Sequence, residues 1–556
     1  MSAGDSTGGL GLPAGWDPGL DLAVLVGTGA SESAARYARA GQARLILVAP
    51  PRSEPETLPP QARVAKSAGE LHQAILELEG PSPRKVVVQR TRDPWASAER
   101  QRQIAERVQA ALGSQRLQAR TVARFGRTWL LQGLENLEAI ASRPSIEGLR
   151  GAFQGRPCVV VSPGPSLAKN LHELRRVQAR ALLIAGTHAL RALQGAGVDP
   201  HLLVLADPGD LSRHVAGLDL AGIEALVVGA SCRRASFDLP ARRCFTFASN
   251  GTLDDWMFGW LGEEARLASG GSVACSQASL ALHLGCDPIV LVGQDLSFPE
   301  GRFYAPGTLD DDAEVVPVGD KGFFLRKPAT ARGPGVPLAD GSLRFTIDQE
   351  LVWVDGIHGG AVPTSRSFHA FLAWFEAWAD SHAQRVKLLN CTEGGALIRG
   401  MEHLPLAVAA ASWPDRSDEP IGAVLQRSCE AIDPRARAQR MARELAGVIQ
   451  GLDRGLELAS RCTRLARAAG HDARRLKELA RAETELSRAL KPLRLLALYA
   501  QDEILAAREA GRRATSVGEN LSAAQSLYAL VERAGKDLRE PMRDALWSLE
   551  SLCRLE

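Results

Sequence analysis

The side chains best suited to chemistry stand just past short apolar runs. Ser162-Pro163-Gly164-Pro165-Ser166-Leu167 follows Val159-Val160-Val161, and an amphipathic stretch, Ala168 to Leu174, comes next. A strand, a tight turn and a helix start aim backbone N–H groups at one point, which suits a phosphate. The spacing is neither GxGxxG nor GxxxxGKS, so a plain strand-to-helix turn with Ser166 as the helix cap is the competing reading. Gly271-Ser272-Val273 opens another helix and is readable in the same two ways. Thr187-His188 follows the run Ala181–Ala185, Asp207 follows His201–Leu205, Gln294-Asp295 follows Pro288–Val292, and Asn390-Cys391-Thr392-Glu393-Gly394-Gly395 follows Arg385–Leu389.

These positions make sense if the runs are parallel strands, because such sheets collect their sites at the carboxyl ends of the strands. Repeated helix–strand alternation from Pro157 onward predicts a mostly parallel, Rossmann-like central sheet covered by helices on both faces. A smaller N-terminal α/β domain is expected before it, from the strands Leu22–Val26 and Arg44–Val48 with Gly27-Thr28-Gly29-Ala30-Ser31 between them. Its second strand runs into Val48-Ala49-Pro50-Pro51 with no carboxylate to hold a ribose, which favours scaffold over dinucleotide site. Glu99–Leu112 and Trp129–Ile140 have helical spacing and read as two connecting helices. Residues 299–345, irregular and carrying Phe303, Tyr304, Phe323 and Phe324, read as a lid or insertion. Past Ser412, Leu445, Val448, Leu452, Leu456, Ala459 and Cys462 share one helical face, as do Leu476, Leu479, Leu486, Leu490 and Leu493, which predicts an α-helical bundle that Pro492 kinks or breaks. The expected division is 1–120, 121–155, 156–411 and 412–556.

Composition removes several classes of function. The 556 residues carry 66 Lys+Arg against 64 Asp+Glu, so no global basic field draws in nucleic acid. No apolar run approaches the ~18 residues of a membrane span, and the N-terminus has neither the basic nor the apolar region of a signal peptide. Nine scattered cysteines without a CxxC fit a reduced, cytoplasmic setting and argue against a cysteine zinc site.

Four stretches together resemble one family. SPGPSL (162–167), IAGTHALRALQGAGVDPHLLVLAD (184–207), LVGQDLSF (291–298) and NCTEGGA (390–396) are similar to the core of the motility-associated factor (Maf) glycosyltransferases, and ARFGRTWLLQGLENL (123–137) to the helix that leads into it. The resemblance covers roughly residues 120–410. It implies a cytoplasmic enzyme that moves a nonulosonic acid, of pseudaminic or legionaminic type, from a CMP-activated donor to Ser or Thr hydroxyls of flagellin. It also links the core to bacterial sialyltransferases and archaeal pterin pyrophosphokinases. Such a transfer puts negative charge on the departing phosphate, and the acceptor hydroxyl needs a base. Gly164, Pro165 and Ser166, similar to the turn at the CMP site of the related sialyltransferases, are then expected to hold the nucleotide, and Gly271 and Ser272, opening a helix, offer a second anion-binding end. Thr187, His188, Gln294, Asn390, Thr392, Gly394 and Gly395 are expected to contact nucleotide or sugar. His358, in Asp355-Gly356-Ile357-His358-Gly359-Gly360, lies where related sialyltransferases supply their histidine; a surface loop histidine is the alternative, and His188 competes for the role. Asp207, Asp295 and Glu393 complete the catalytic candidates, the two aspartates being equally readable as turn caps. No cofactor or metal is expected, and neither a membrane nor nucleic acid is expected as a partner. The alternatives are a Mg²⁺-dependent pyrophosphokinase of the pterin type and a non-catalytic nucleotide-binding scaffold.

Overall fold

The computed structural model describes residues 12–554 except 28–29, 52, 54–57, 79–81, 93, 250–251, 269, 320–321, 330, 332–334, 346–349, 416–418 and 491–498. The Thr28-Gly29 turn, Pro492 and Leu493 therefore lie outside the described residues.

The strands β1 (Leu22–Val26), β2 (Arg44–Val48), β3 (Ala62–Ala65) and β4 (Val86–Arg90) form a parallel four-stranded sheet in the order β3-β2-β1-β4. The central sheet has eight strands: β5 (Cys158–Val161), β6 (Leu182–Gly186), β7 (Leu202–Leu205), β8 (Ala225–Gly229), β9 (Cys244–Phe247), β10 (Ile289–Val292), and, after an insertion with short strands of its own, β17 (Leu388–Asn390) and β18 (Glu402–His403). All its pairings are parallel, in the order β18-β17-β10-β5-β6-β7-β8-β9. The apolar runs are continuous because both faces are covered. Cys158, Val160, Leu182, Ile184, Leu202 and Val204 enter one core, and Val159, Val161, Leu183, Ala185, Val290 and Val292 the opposite one. Period-two alternation therefore separates two apolar layers, each buried Val, Leu or Ile contributing about 1.5–3 kcal/mol.

The insertion is more ordered than its composition predicts. β11 (Glu314–Val318), β12 (Gly322–Lys327), β13 (Val336–Pro337) and β14 (Leu343–Phe345) make an antiparallel sheet in the order β11-β12-β14-β13. Phe298, Val315, Phe323, Leu325 and Leu351 give it a small core of its own. A hairpin of β15 (Leu351–Asp355) and β16 (Ala361–Ser365) leads into the aromatic helix Arg366–His382.

One correction concerns the connecting segment. The two expected helices, Glu99–Leu112 and Trp129–Ile140, are a single 38-residue helix, Ala98–Glu135, followed by the short helix Leu137–Ser142. The polar stretch from Ser114 onward hides the period but is built of good helix formers, and no proline interrupts it. The long helix runs past residue 120 without a break, with Val108 and Leu112 in the N-terminal core and Leu130 and Leu134 in the central one.

Beyond residue 420, helices Pro434–Ala469, Ala473–Leu490 and Val517–Arg554 pack on one another through Leu445, Leu452, Ala459, Cys462, Leu479, Leu486, Ala534 and Leu538. Val448 and Leu456 lie at the margin of that face, partly buried. The first of these helices is tied to the α/β core by Arg437, whose side chain pairs with Glu263 and donates to the Ala141 and Ile140 carbonyls at 3.1 Å.

Candidate functional site

The order of the central sheet places a crevice. From β5 the chain steps outward through β6 to β9, then returns to lay β10 on the other side of β5. At such a reversal the loops leaving the two neighbouring strands part in opposite directions, and ligands of open α/β sheets bind between them. The loops here are Ser162–Ser166 after β5 and Gly293–Phe298 after β10.

They meet through Asp295. Its carboxylate accepts the Ser166 hydroxyl at 2.8 Å and the Ser166 N–H at 3.2 and 3.3 Å. A carboxylate therefore sits on the donors that the sequence offers to a phosphate. This corrects the expected cap: Ser166 makes no side-chain bond to its own helix, Leu167–Val177, because its hydroxyl is turned to Asp295. Gly164 has to be glycine here, since a Cβ would collide with the Asp295 carboxylate and the Gly293 carbonyl. Asp295 is 2% exposed, and burial pushes its carboxyl up to about 6, against the lowering effect of the Ser166 bonds. Leu296, the next residue, has a φ of 50°, a left-handed conformation costly for a branched side chain.

The corner after β17 closes the same unit. The Thr392 hydroxyl accepts the Gln294 N–H at 3.0 Å, and Asn390 Oδ1 accepts the Thr392 N–H at 3.0 Å. Ala396 donates to the Asp295 carbonyl at 2.7 Å. This contact requires Gly395, at φ +84°, where a Cβ would strike the Asp295 backbone. Glu393, half-buried, accepts Asn170 Nδ2 at 2.7 Å, while Lys169 Nζ donates to the Glu393 carbonyl at 3.0 Å. His358 stands exposed at the tip of the β15–β16 hairpin, with no hydrogen-bond partner among the described residues. Its neighbour Ile357 donates to the Gly395 carbonyl at 3.0 Å, so the tip lies beside this corner.

A second group of polar side chains flanks the crevice at the ends of β6 and β7. The His188 ring packs against His214 with centroids 4.1 Å apart and planes tilted by 54°, and lies 5.4 Å from the Tyr304 ring. Burial, then the neighbouring His214, lowers His188 to about 4, so it is a neutral imidazole at pH 7. Burial pushes the Tyr304 phenol up to about 12. Tyr304 belongs to the insertion, whose Ala305 donates to the Pro163 carbonyl at 2.8 Å and so lies on the 162–167 turn. Asp207 is exposed and accepts the Gly209 N–H at 2.6 Å, which is the turn-cap role. Ser272 caps its helix, accepting the Ala274 N–H at 3.3 Å, and the first turn of that helix lies under Gly186.

Gly164–Ser166, Gln294, Asp295, Asn390 and Thr392–Gly395 are thus one bonded cluster. Thr187, His188 and Asp207 adjoin it on the β6–β7 side, and Gly271–Ser272 approach from below. Asn170, Lys169, His214 and Gln277 are not singled out by the sequence, and Tyr304 stands out there only as part of the insertion. Of these Gln277 carried a signal, a lone carboxamide in the otherwise small and apolar helix Val273–His283. Among the described residues no three His, Cys, Asp or Glu side chains converge as a metal site. Magnesium in nucleotide enzymes often needs only one or two carboxylates beside the phosphates, and Asp295 would be that ligand here.

With this geometry in place, comparison with known proteins adds the following. Residues 132–301 match the family model for MptE-like 6-hydroxymethylpterin diphosphokinases. The likeness to that family is confined to this segment. The segment contains the Ser162–Ser166 turn, Thr187, His188, Asp207, Ser272, Gln294 and Asp295, and agrees with the pterin-kinase link read from the sequence; Asn390–Gly395 and His358 lie beyond it. The chain is also similar to the structure of MAf glycosyltransferase from Magnetospirillum magneticum AMB-1, at 13% identity and a TM-score of 0.46, over 96% of this chain and 80% of that one. No curated protein matches. Among the described residues, no helix is long and apolar enough to cross a membrane.

Proposed function

We propose that the chain is a nucleotide-dependent transferase, and that it moves a nonulosonic acid of pseudaminic or legionaminic type from a CMP-activated donor to Ser or Thr of flagellin in the cytoplasm. One observation carries the reading. The turn at 162–167, the Gln-Asp corner at 294–295 and the corner at 390–396, all drawn from stretches that resemble Maf glycosyltransferases, are hydrogen-bonded to one another at the switch point of one sheet.

In this reading the departing CMP phosphate lies against the start of the helix Leu167–Val177. The Ser166 hydroxyl and N–H and the Lys169 ammonium face the growing negative charge there. Asp295 holds those Ser166 donors in the free protein, so the phosphate meets either a protonated Asp295 or one swung aside. The helix start at Gly271–Ser272 offers a second seat for an anionic group. His358 is the base we place first, since its ring is unpartnered at a hairpin tip beside the Gly394-Gly395 corner. Glu393 and Asp207 are already engaged by Asn170 and Gly209.

The second reading, a Mg²⁺-dependent pyrophosphokinase, is favoured by the MptE-like match over 132–301. Calorimetric titration of CMP and CTP against ATP, each with and without Mg²⁺, separates the two. Cytidine preference without Mg²⁺ supports the glycosyl reading, and Mg²⁺-dependent ATP binding replaces it with the other. Silence toward all of them leaves a scaffold. Mass spectrometry of flagellin from cells lacking the protein then tests the acceptor.

A further inference from the structure

Below the crevice a polar side chain is buried without a use. The 11-residue helix Val273–His283 starts beside the end of β6, and its residues are small or apolar apart from two serines, Gln277 and the terminal His283. Ser279 donates to the Ala268 carbonyl at 3.0 Å, and Ser272, just ahead of the helix, caps it. Gln277 is 2% exposed as a whole residue, and its carboxamide has no hydrogen-bond partner among the described residues, while neither of its polar atoms is sealed off from solvent. Its Nε2 lies over Gly186, 3.0 Å from where a Cβ would stand, so the lack of a side chain at 186 makes room for the amide. The next residue, Thr187, is 7% exposed, and its hydroxyl is likewise without a partner among the described residues. An amide with so little exposed surface is usually paired with protein, because the sliver of contact it keeps with solvent replaces little of the hydration it has lost. An amide left open at the floor of a ligand crevice is accounted for if its partner arrives with the ligand.

We propose that Gln277 is a specificity-determining residue of this site: its carboxamide, a donor beside an acceptor, pairs with an amide-like edge of the bound ligand, an N–H beside an oxygen or a ring nitrogen. Resting on the nucleotide-dependent reading above, it has two sources for that edge. A nucleobase carries one on its amino-bearing side, and an acylamido substituent of the transferred sugar carries another. A carboxylate or a phosphate alone does not complement a carboxamide in this way, so the Gln277 contact is separate from the anion seats at Ser166 and Ser272.

The test uses the full chain, with Gln277→Leu and, as a second variant of the same reach, Gln277→Met. Affinities for CMP, AMP and CMP-N-acetylneuraminic acid are measured by calorimetry, and the thermal midpoint of the free protein by scanning calorimetry. The expected result is a midpoint unchanged or raised, since the amide makes no hydrogen bond to the described residues that could be lost, together with about tenfold or greater loss of affinity. Loss for a free nucleotide assigns the edge to the base. Loss confined to CMP-N-acetylneuraminic acid, with CMP unchanged, assigns it to the acylamido group. All affinities within twofold of wild type overturn the proposal, and so does a lowered midpoint in both variants, which would make Gln277 structural. If the wild-type chain binds AMP but neither cytidine compound, the glycosyl reading fails by itself, and the AMP affinities alone decide Gln277.

Discussion

At the scale of single residues, Asp295 is the group whose environment most constrains its behaviour. Burial raises its folded-state pKa to about 6 from the ordinary 3.8. Between those values the native state holds a proton that the unfolded chain has lost, so stability falls as pH rises from about 4 to about 6 and is level above. Asp295→Asn keeps an acceptor for the Ser166 N–H and removes the buried charge. It is expected to raise the thermal midpoint at pH 7.5, by a free energy of up to about 3 kcal/mol, and to change nothing at pH 4. Equal midpoints at pH 7.5 would contradict the assigned cause. The same titration orders ligand binding: affinity for a cytidine phosphate is expected to rise as pH falls through 6, as protonation stops Asp295 repelling the phosphate. His358 acts on a different quantity. His358→Asn is expected to lower transfer to the acceptor by about a hundredfold or more while CMP affinity stays within twofold. A parallel loss of both would return the residue to structural support for the Gly394-Gly395 corner. None of these pairings could be read along the sequence. Ser166 and Asp295 are 129 positions apart. The strand-end rule placed both near a site, but it could not say that one would occupy the other's donors.

Whole elements were legible where periodicity is strong and obscured where function or solvent dilutes it. The β5–β10 strands are short apolar runs, rich in Val, Leu and Ile apart from the Cys-Phe-Thr-Phe of β9, and their ends could be named to within a residue or two. The helix Ala98–Glu135 reads as two because its middle carries polar residues such as Gln115, Arg120, Arg124 and Arg127, which keep the helix but erase the apolar stripe. The insertion was misjudged as irregular because its strands are short and interrupted by Gly and Pro, and its core has few members. The attachment of the helix Pro434–Ala469 also escaped notice. Arg437 looks like one more basic residue on a polar face, yet only 11% of its side chain is exposed, and Glu263 with 18% is its partner. Removing one side of such a pair leaves the other charge buried and three carbonyls, of Ile140, Ala141 and Arg143, without their donor. Arg437→Ala is therefore expected to cost about 3 kcal/mol or more, seen as a lower urea midpoint. Arg437→Lys should recover only part of that, since one ammonium lacks the guanidinium's fork of donors.

The molecule as a whole is two parallel sheets, an antiparallel insertion and a set of long helices, and the composition declared the first and last of these through the shift from βα alternation to arginine-rich heptad-like spacing. What composition could not declare is how the N-terminal sheet rests on the rest. Besides the long helix Ala98–Glu135 that both cores share, one contact is the start of helix Ala68–Leu76 against the last turns of helix Arg366–His382. The Ala68 N–H is received by Asp380 Oδ2 at 2.7 Å, and a Cβ on Gly69 would collide with Ser381 Oγ and the Ala377 carbonyl. The other end of that helix, at Ser365, joins the hairpin that carries His358. Across its 17 residues the two ends stand about 25 Å apart. A disturbance at Gly69 is therefore felt by the docking of the N-terminal sheet and hardly at all by the crevice. Gly69→Val is expected to cost about 1–3 kcal/mol through overpacking, lowering the thermal midpoint by a few degrees or splitting one endotherm into two. Nucleotide affinity should stay within twofold of the parent chain. An unchanged endotherm would mean that the sheet is not held by this contact, and a lost affinity with an intact endotherm would mean that the N-terminal sheet itself takes part in binding.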